Sequence, residues 1–139
     1  MDRVFLDANV LFSAAWREAA GLLVLWDLPH ALLVTSRYAV DEALANLPEG
    51  ARRDRLRRLL ERLVVGETSF DEVPVPAGVS VPDADVPILR AAIAMRATHL
   101  LTGDLRHFGP LMGTQVAGVE ILRPADYVRR RAAGGRGER

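Results

Sequence analysis

Short runs of consecutive apolar residues alternate along the chain with stretches in which apolar residues recur at helical spacing. Val4-Phe5-Leu6, Ala31 to Val34, Thr98 to Leu101 and Val119 to Leu122 are largely apolar runs of strand length. Runs of this kind mark strands buried on both faces. A further short strand is expected near Phe70 to Val73, ahead of a Pro- and Gly-containing loop from Pro74 to Pro82. The intervening segments read as helices. The first runs from Val10 to about Trp16 with Asn9 as its cap. A second covers Arg17 to Asp27, with Leu22, Leu23, Leu25 and Trp26 on its buried side, and ends before Pro29. Ser36 caps a third that runs to about Leu47 and stops at Pro48. Ala51 to Val65 is strongly amphipathic, with Leu56, Leu59, Leu60 and Leu63 on one side and Arg52, Arg53, Arg55, Arg58 and Arg62 on the other. A helix from about Asp85 to Ala97 turns Ile88, Leu89, Ala92 and Ile93 inward and carries Pro87 in its first turn. A last helix starts near Pro124.

Strands alternating with helices predict βαβ units, hence an α/β fold with a parallel central sheet and helices on both faces. Sites in such folds form at the carboxyl ends of the strands. Asp7 and Asp104 each follow an apolar strand directly, so both are expected at one edge. No internal repeat is visible. One domain is expected over residues 1–128, and the Arg- and Gly-rich segment 129–139 is expected to be a disordered tail.

Composition narrows the chemistry. All 18 basic residues are Arg. Without Lys, the chain lacks the residue that a P-loop needs and the amine that Schiff-base and pyridoxal-phosphate chemistry need. Without Cys there is no thiol nucleophile, disulfide or thiolate metal site, and three scattered His suit zinc poorly. Catalysis is left to carboxylates, Ser, Thr, His or a metal ion held by oxygen. The exclusive use of Arg is accounted for by a GC-rich coding bias. Half of the 139 residues are apolar (50%), enough for a core. A net charge of zero neither favours nor excludes a nucleic-acid partner. No apolar run approaches the roughly 20 residues of a spanning helix. Asp7 and Asn9 interrupt the stretch where a signal peptide is apolar. The expectation is a cytoplasmic protein with no membrane contact.

The informative acids are those placed oddly. Most charges lie on amphipathic helices or in loops, whereas Asp7 and Asp104 end apolar strands, where a desolvated carboxylate is costly unless paired. Either residue also suits an Asx-type turn. Asp83 and Asp85 begin a helix, where they complement its dipole. Asp41 and Glu42 lie on a helix that follows a strand end and equally suit a solvated face. Carboxylates gathered on one edge repel each other. A divalent cation relieves that repulsion, and Mg²⁺ takes a few carboxylate oxygens while keeping waters for substrate phosphates.

Four stretches carry a family likeness. They are Phe5-Leu6-Asp7-Ala8-Asn9-Val10-Leu11, Ser36 through Asp41-Glu42-Ala43-Leu44 with Asn46-Leu47, Asp83-Ala84-Asp85-Val86-Pro87-Ile88-Leu89, and Leu100-Leu101-Thr102-Gly103-Asp104-Leu105-Arg106-His107-Phe108. With them the chain resembles the PIN-domain ribonucleases, in particular bacterial VapC-type toxins, over roughly residues 3 to 125. The resemblance implies a PIN-like three-layer sandwich. It implies four acidic catalytic and metal-site positions, Asp7, Glu42, Asp85 and Asp104, supported by Asn9 and Thr102. Asp83 competes with Asp85, and Asp41 with Glu42. Leu89, four residues on, favours Asp85, and the motif register favours Glu42.

The implied activity is phosphodiester hydrolysis in RNA with one or two Mg²⁺ or Mn²⁺ ions. The implied setting is the toxin of a type II toxin–antitoxin pair, with an antitoxin protein and a second copy of the chain as partners. Arg106 and His107 are candidate substrate contacts. Two alternatives stay open: a PIN-like RNA-binding or regulatory module without turnover, and a PIN nuclease of RNA processing. A haloacid-dehalogenase-like phosphatase is disfavoured, because it needs a second Asp where Asn9 stands and a downstream Lys. The Arg face of the helix at Ala51 to Val65 reads as a solvated surface, a partner contact or a phosphate track. Trp16 and Trp26 are expected in the core.

Overall fold

The continuous apolar runs form the middle of one sheet. In a computed structural model, which describes residues 1–18 and 20–137, the strands are β1 (Asp2–Leu6), β2 (Ala31–Ser36), β3 (Val64–Gly66), β4 (His99–Leu101), β5 (Gln115–Val116) and β6 (Val119–Leu122). Their order is β3-β2-β1-β4-β6-β5. Every pairing is parallel except β5 with β6. Val4, Phe5 and Leu6 on β1 and Leu100 and Leu101 on β4 are fully buried. Successive strand residues point to opposite faces, so the sheet is covered on both sides. The expected three-layer α/β sandwich is borne out. Helices α1 (Ala8–Ala15), α2 (Arg37–Asn46) and α3 (Ala51–Leu60) pack together, and α4 (Val86–Ala94) packs on β2 and β4. The short α5 (Leu105–Phe108) and the terminal α6 (Pro124–Gly137) complete the chain. No helix among the described residues is long and apolar enough to cross a membrane.

Several boundaries depart from the sequence expectation, each for a local reason. Asp7, not Asn9, caps α1: its backbone is extended and its carboxylate accepts the Ala8 N–H at 2.7 Å. The segment expected as a helix from Arg17 is a 3-10 turn, Gly21–Asp27, entered through extended Ala20; of its apolar residues Leu25 and Trp26 are buried. Trp16 lies outside the core at 40% exposure, stacked on Phe12 with the Arg52 guanidinium 3.7 Å from its ring. The amphipathic helix stops at Leu60, because Val64 and Val65 pair with Val34 and Thr35 in the sheet. Phe70 to Val73 is a turn instead of a strand, with Phe70 closing over Gly66. Asp83–Asp85 forms a 3-10 turn ahead of α4, which ends before Arg96 at positive φ. The unexpected β5 arises from a hairpin at Ala117 and Gly118, both at positive φ as a type I′ turn requires.

The Arg face of α3 has an internal use. Arg52, Arg53 and Arg55 donate to the backbone carbonyls of Trp16, Leu47 and Ala15 at 2.8, 3.0 and 2.6 Å. These carbonyls end α1 and α2, where helix C-termini leave acceptors unpaired and the dipole favours cations. Three of the five Arg on the expected outer face thus tie three helices together.

The segment from residue 129, expected as a disordered tail, continues α6 to Gly137; Glu138 and Arg139 lie outside the described residues. Its anchor is polar. Buried Tyr127 donates to Asp2 Oδ2 at 2.7 Å, and Arg131 donates to the same oxygen at 3.3 Å and to the Tyr127 hydroxyl at 3.0 Å. Arg130 grips Glu120 at 2.7 Å. Burial, reinforced by the bond to Asp2, pushes the Tyr127 phenol up to about 12. Tyr127→Phe is expected to cost about 1.5–3 kcal/mol in urea unfolding, the usual loss for a hydrogen bond to a charged group, and to speed hydrogen exchange selectively in α6. Unchanged exchange there would show that the tail helix is held otherwise.

Candidate active site

The sheet changes direction at β1. The chain moves outward through β2 and β3, then returns to place β4 on the other side of β1. A crevice opens at the carboxyl ends of strands at such a reversal. Leu6 pairs with Leu101, and the Asp7 N–H donates to the Leu101 carbonyl at 3.1 Å. The residues just beyond both strands therefore meet.

Asp7 is 3% exposed. Its Oδ2 accepts from the Thr102 hydroxyl at 2.8 Å and from Asn9 Nδ2 at 3.1 Å. The fully buried Thr102 oxygen in turn accepts from Asn9 Nδ2 and from the Asp104 N–H, both at 3.1 Å. Asn9 Oδ1 accepts the Gly103 N–H at 2.8 Å. Asn9 and Thr102, expected as supporting residues, thus lock the loop after β4 to the start of α1. Burial lifts the Asp7 carboxyl from 3.8 to about 6, against the bonds from Thr102 and Ala8 and with help from the nearby charges of Asp85 and Glu42.

Three more acids face the same space. Glu42 comes from α2, Asp85 from the end of the 3-10 turn, and Asp104 from the cap of α5, where its Oδ1 accepts the His107 N–H at 3.2 Å. Burial raises the pKa of Glu42, and Asp85 and Asp104 add to it. Burial likewise raises Asp85, opposed by His107 and assisted by Asp104. Asp7, Asn9, Glu42, Asp85, Asp104 and His107 line one cavity of about 460 Å³. Asp83 and Asp41 do not: both are exposed, and Asp41 pairs with Arg37 at 3.8 Å. Arg106 faces a neighbouring cavity. Among the described residues, none of the four lining acids pairs with an Arg, although the chain has 18.

His107, expected as a substrate contact, stands among the acids themselves. Its Nδ1 lies 2.7 Å from Asp85 Oδ2 and 2.8 Å from Asp104 Oδ2. Nδ1 and Asp85 Oδ2 are nonetheless buried without a hydrogen bond. The three donor atoms converge within 4.8 Å of one another, so this cluster can hold a metal ion. Two orphaned donor atoms among oxygen and imidazole ligands fit a divalent cation. Tyr38 went unnoticed in the sequence: from α2 its hydroxyl donates to the Ala84 carbonyl at 2.8 Å, fixing the backbone next to Asp85. A tyrosine on an amphipathic helix carries no signal of that contact.

No family model and no curated protein sequence matches the chain. Solved structures share its fold, two of them from VapBC assemblies. One is a chain of VapBC2 from Rickettsia felis, bound to a DNA fragment from their promoter; it is 16% identical, with a TM-score of 0.58 over 87% of this chain and 98% of that one. The other is a chain of VapBC-1 from nontypeable Haemophilus influenzae, 15% identical, with a TM-score of 0.56 over 88% and 98%. The likeness is one of fold. It agrees with the VapC-type resemblance carried by the four sequence stretches.

The Asp7 shift has a sign that can be checked. Between about pH 4 and pH 6 the folded chain retains a proton that the unfolded chain has released, so stability falls as pH rises through that window. In the metal-free protein the Asp7 carboxyl carbon is expected to titrate near 6 by NMR. Thr102→Val is expected to move the midpoint higher, because it removes a bond that favours the anion. A wild-type midpoint near the ordinary value of 3.8 would contradict the desolvation described here.

Proposed function

We propose that the chain is a Mg²⁺- or Mn²⁺-dependent endoribonuclease of the PIN type, acting as the toxin of a toxin–antitoxin pair. The observation that carries the proposal is the set of four carboxylates, Asp7, Glu42, Asp85 and Asp104, around one cavity at the sheet's point of reversal, with no Arg neutralising them among the described residues. Such a cavity repels a phosphodiester unless a cation reverses the local sign. When bound, a divalent ion lowers the pKa of its water and offsets charge on the phosphodiester.

The chain's own residues divide the remaining work. Asp7, Asp85, Asp104 and the His107 imidazole would hold the ion or ions. Thr102 and Asn9 fix Asp7 in one orientation, which is the usual service of a hydrogen-bonded partner to a ligating carboxylate. Glu42, at the more open side of the cavity, is suited to orient the attacking water as a base. The VapC-type motifs and the fold shared with chains of VapBC assemblies support an antitoxin protein as partner, and a second copy of the chain is the further partner proposed.

Asp7→Asn and Asp104→Asn are each expected to lower Mn²⁺-dependent cleavage of RNA at least about 100-fold, close to 3 kcal/mol of barrier. Calorimetric titration of the wild-type chain with Mn²⁺ is expected to register binding that Asp85→Asn together with Asp104→Asn abolishes. Retained cleavage in both single variants would sink the proposal, as would Mn²⁺ uptake indifferent to the acids.

A further inference from the structure

The acid cavity has a basic neighbour. A second cavity, of about 680 Å³, shares Asn9 and Asp104 with it and is lined by Arg106, Arg123 and Arg129. The three guanidiniums arrive from three elements. Arg106 lies on α5, Arg123 directly follows β6, and Arg129 is on α6. They are neighbours because β6 lies next to β4, with Leu122 beside Leu101. Arg123 Nε donates to Asp126 Oδ2 at 3.0 Å, and Arg129 pairs with the same carboxylate. One carboxylate between two guanidiniums leaves positive charge in excess. Arg106 is exposed and forms no ion pair with any described residue. Unlike the Arg residues of α3, none of these three is bonded to a helix-ending carbonyl among the described residues.

Resting on the nuclease reading, we infer that this cavity binds backbone phosphates of a single-stranded nucleic acid, next to the phosphate held at the acid cavity. A site built of carboxylates contributes little to the ground-state affinity for a polyanion. Adjacent guanidiniums supply it, because their planar forks match phosphate oxygens. The order of charges along the surface also sets the strand's course, from Arg106 past Asp104 to Asp7. Unpaired bases are accommodated by the surface beyond. A third cavity, largely apolar, adjoins the Arg cavity through Ser13, Leu22, Pro124 and Arg129, and is lined by Phe12 and the exposed Trp16. Trp16 is already stacked on Phe12 and covered by the Arg52 guanidinium, so bases meet this surface by apolar contact, which only an unpaired strand can offer.

The test uses fluorescence anisotropy with a labelled eight-nucleotide single-stranded RNA and the full chain in EDTA, where binding is read without turnover. R106Q/R123Q/R129Q is expected to weaken binding at least about tenfold. It is also expected to flatten the slope of log affinity against log salt by about 2, at roughly 0.7 per phosphate contact on a single strand. Arg106→Glu alone, at an exposed position with no ion-pair partner, is expected to act in the same direction while leaving the thermal melt unchanged. Wild-type affinity and slope in both variants overturn the inference even if RNA cleavage persists, and so does an absence of wild-type binding at about 50 mM salt. Displacement of the RNA by an octaglutamate peptide at equal charge overturns it as well, since the surface would then be one for docking acidic protein. Binding that depends on these Arg residues in a chain that cleaves nothing upholds the inference and fails the nuclease reading alone.

Discussion

A carboxylate kept out of water at the end of the central strand is the constraint around which the rest is arranged. Lifting Asp7 from 3.8 to about 6 corresponds to about 3 kcal/mol of disfavoured ionisation. The fold tolerates this because β1 and β4 end in register and bring Thr102, Asn9 and the Ala8 N–H to the same two oxygens. A group that is uncomfortable when charged and alone, yet fully oriented by neighbours, is suited to a site that works with a cation. Strain of this kind at the site, set in an otherwise apolar sheet centre, is stability given up for preorganisation.

The zero net charge conceals a partition. Arg52, Arg53 and Arg55 are committed to helix-ending carbonyls, Arg130 and Arg131 to fastening α6, and Arg37 to Glu67 at 2.9 Å. The four acids of the cavity have no Arg partner among the described residues; His107 stands against two of them. Arg106, without an ion-pair partner among the described residues, lines the neighbouring cavity. Neither half of that arrangement is visible in a charge total, and both follow from which backbone carbonyls and carboxylates the fold brings within reach of a guanidinium.

How far the sequence could be read depended on the range of the interactions. Strand centres such as Val4-Phe5-Leu6 and caps such as Ser36 are local, and they stand where the pattern put them. Asp7 and Asp104 were legible because a polar residue at the end of a buried run is a local anomaly. The misread stretches were decided at a distance. Val64 and Val65 continue a helical periodicity but are claimed by β2. The α6 extension is held by Asp2, more than a hundred positions earlier. Asn9 looked like a cap only while Asp7 was counted as strand. The orphaned contact of His107 with Asp85 depends on the geometry of two separate turns, which no spacing encodes.

β1 lies in the middle of the sheet, and of its two flanking partners β2 follows it soon and β4 only after β3 and α4. A chain emerging from synthesis holds Asp7 and Glu42 early, together with β2 on one flank of β1. Asp85 arrives considerably later, and Thr102, Asn9's loop partner Gly103, and Asp104 later still. The clasp of Tyr127 and Arg131 on Asp2 closes after that. Long-range pairing of this kind is completed only when the distant segment is available. The site is therefore mute until β4 and the loop after it have been made and docked beside β1.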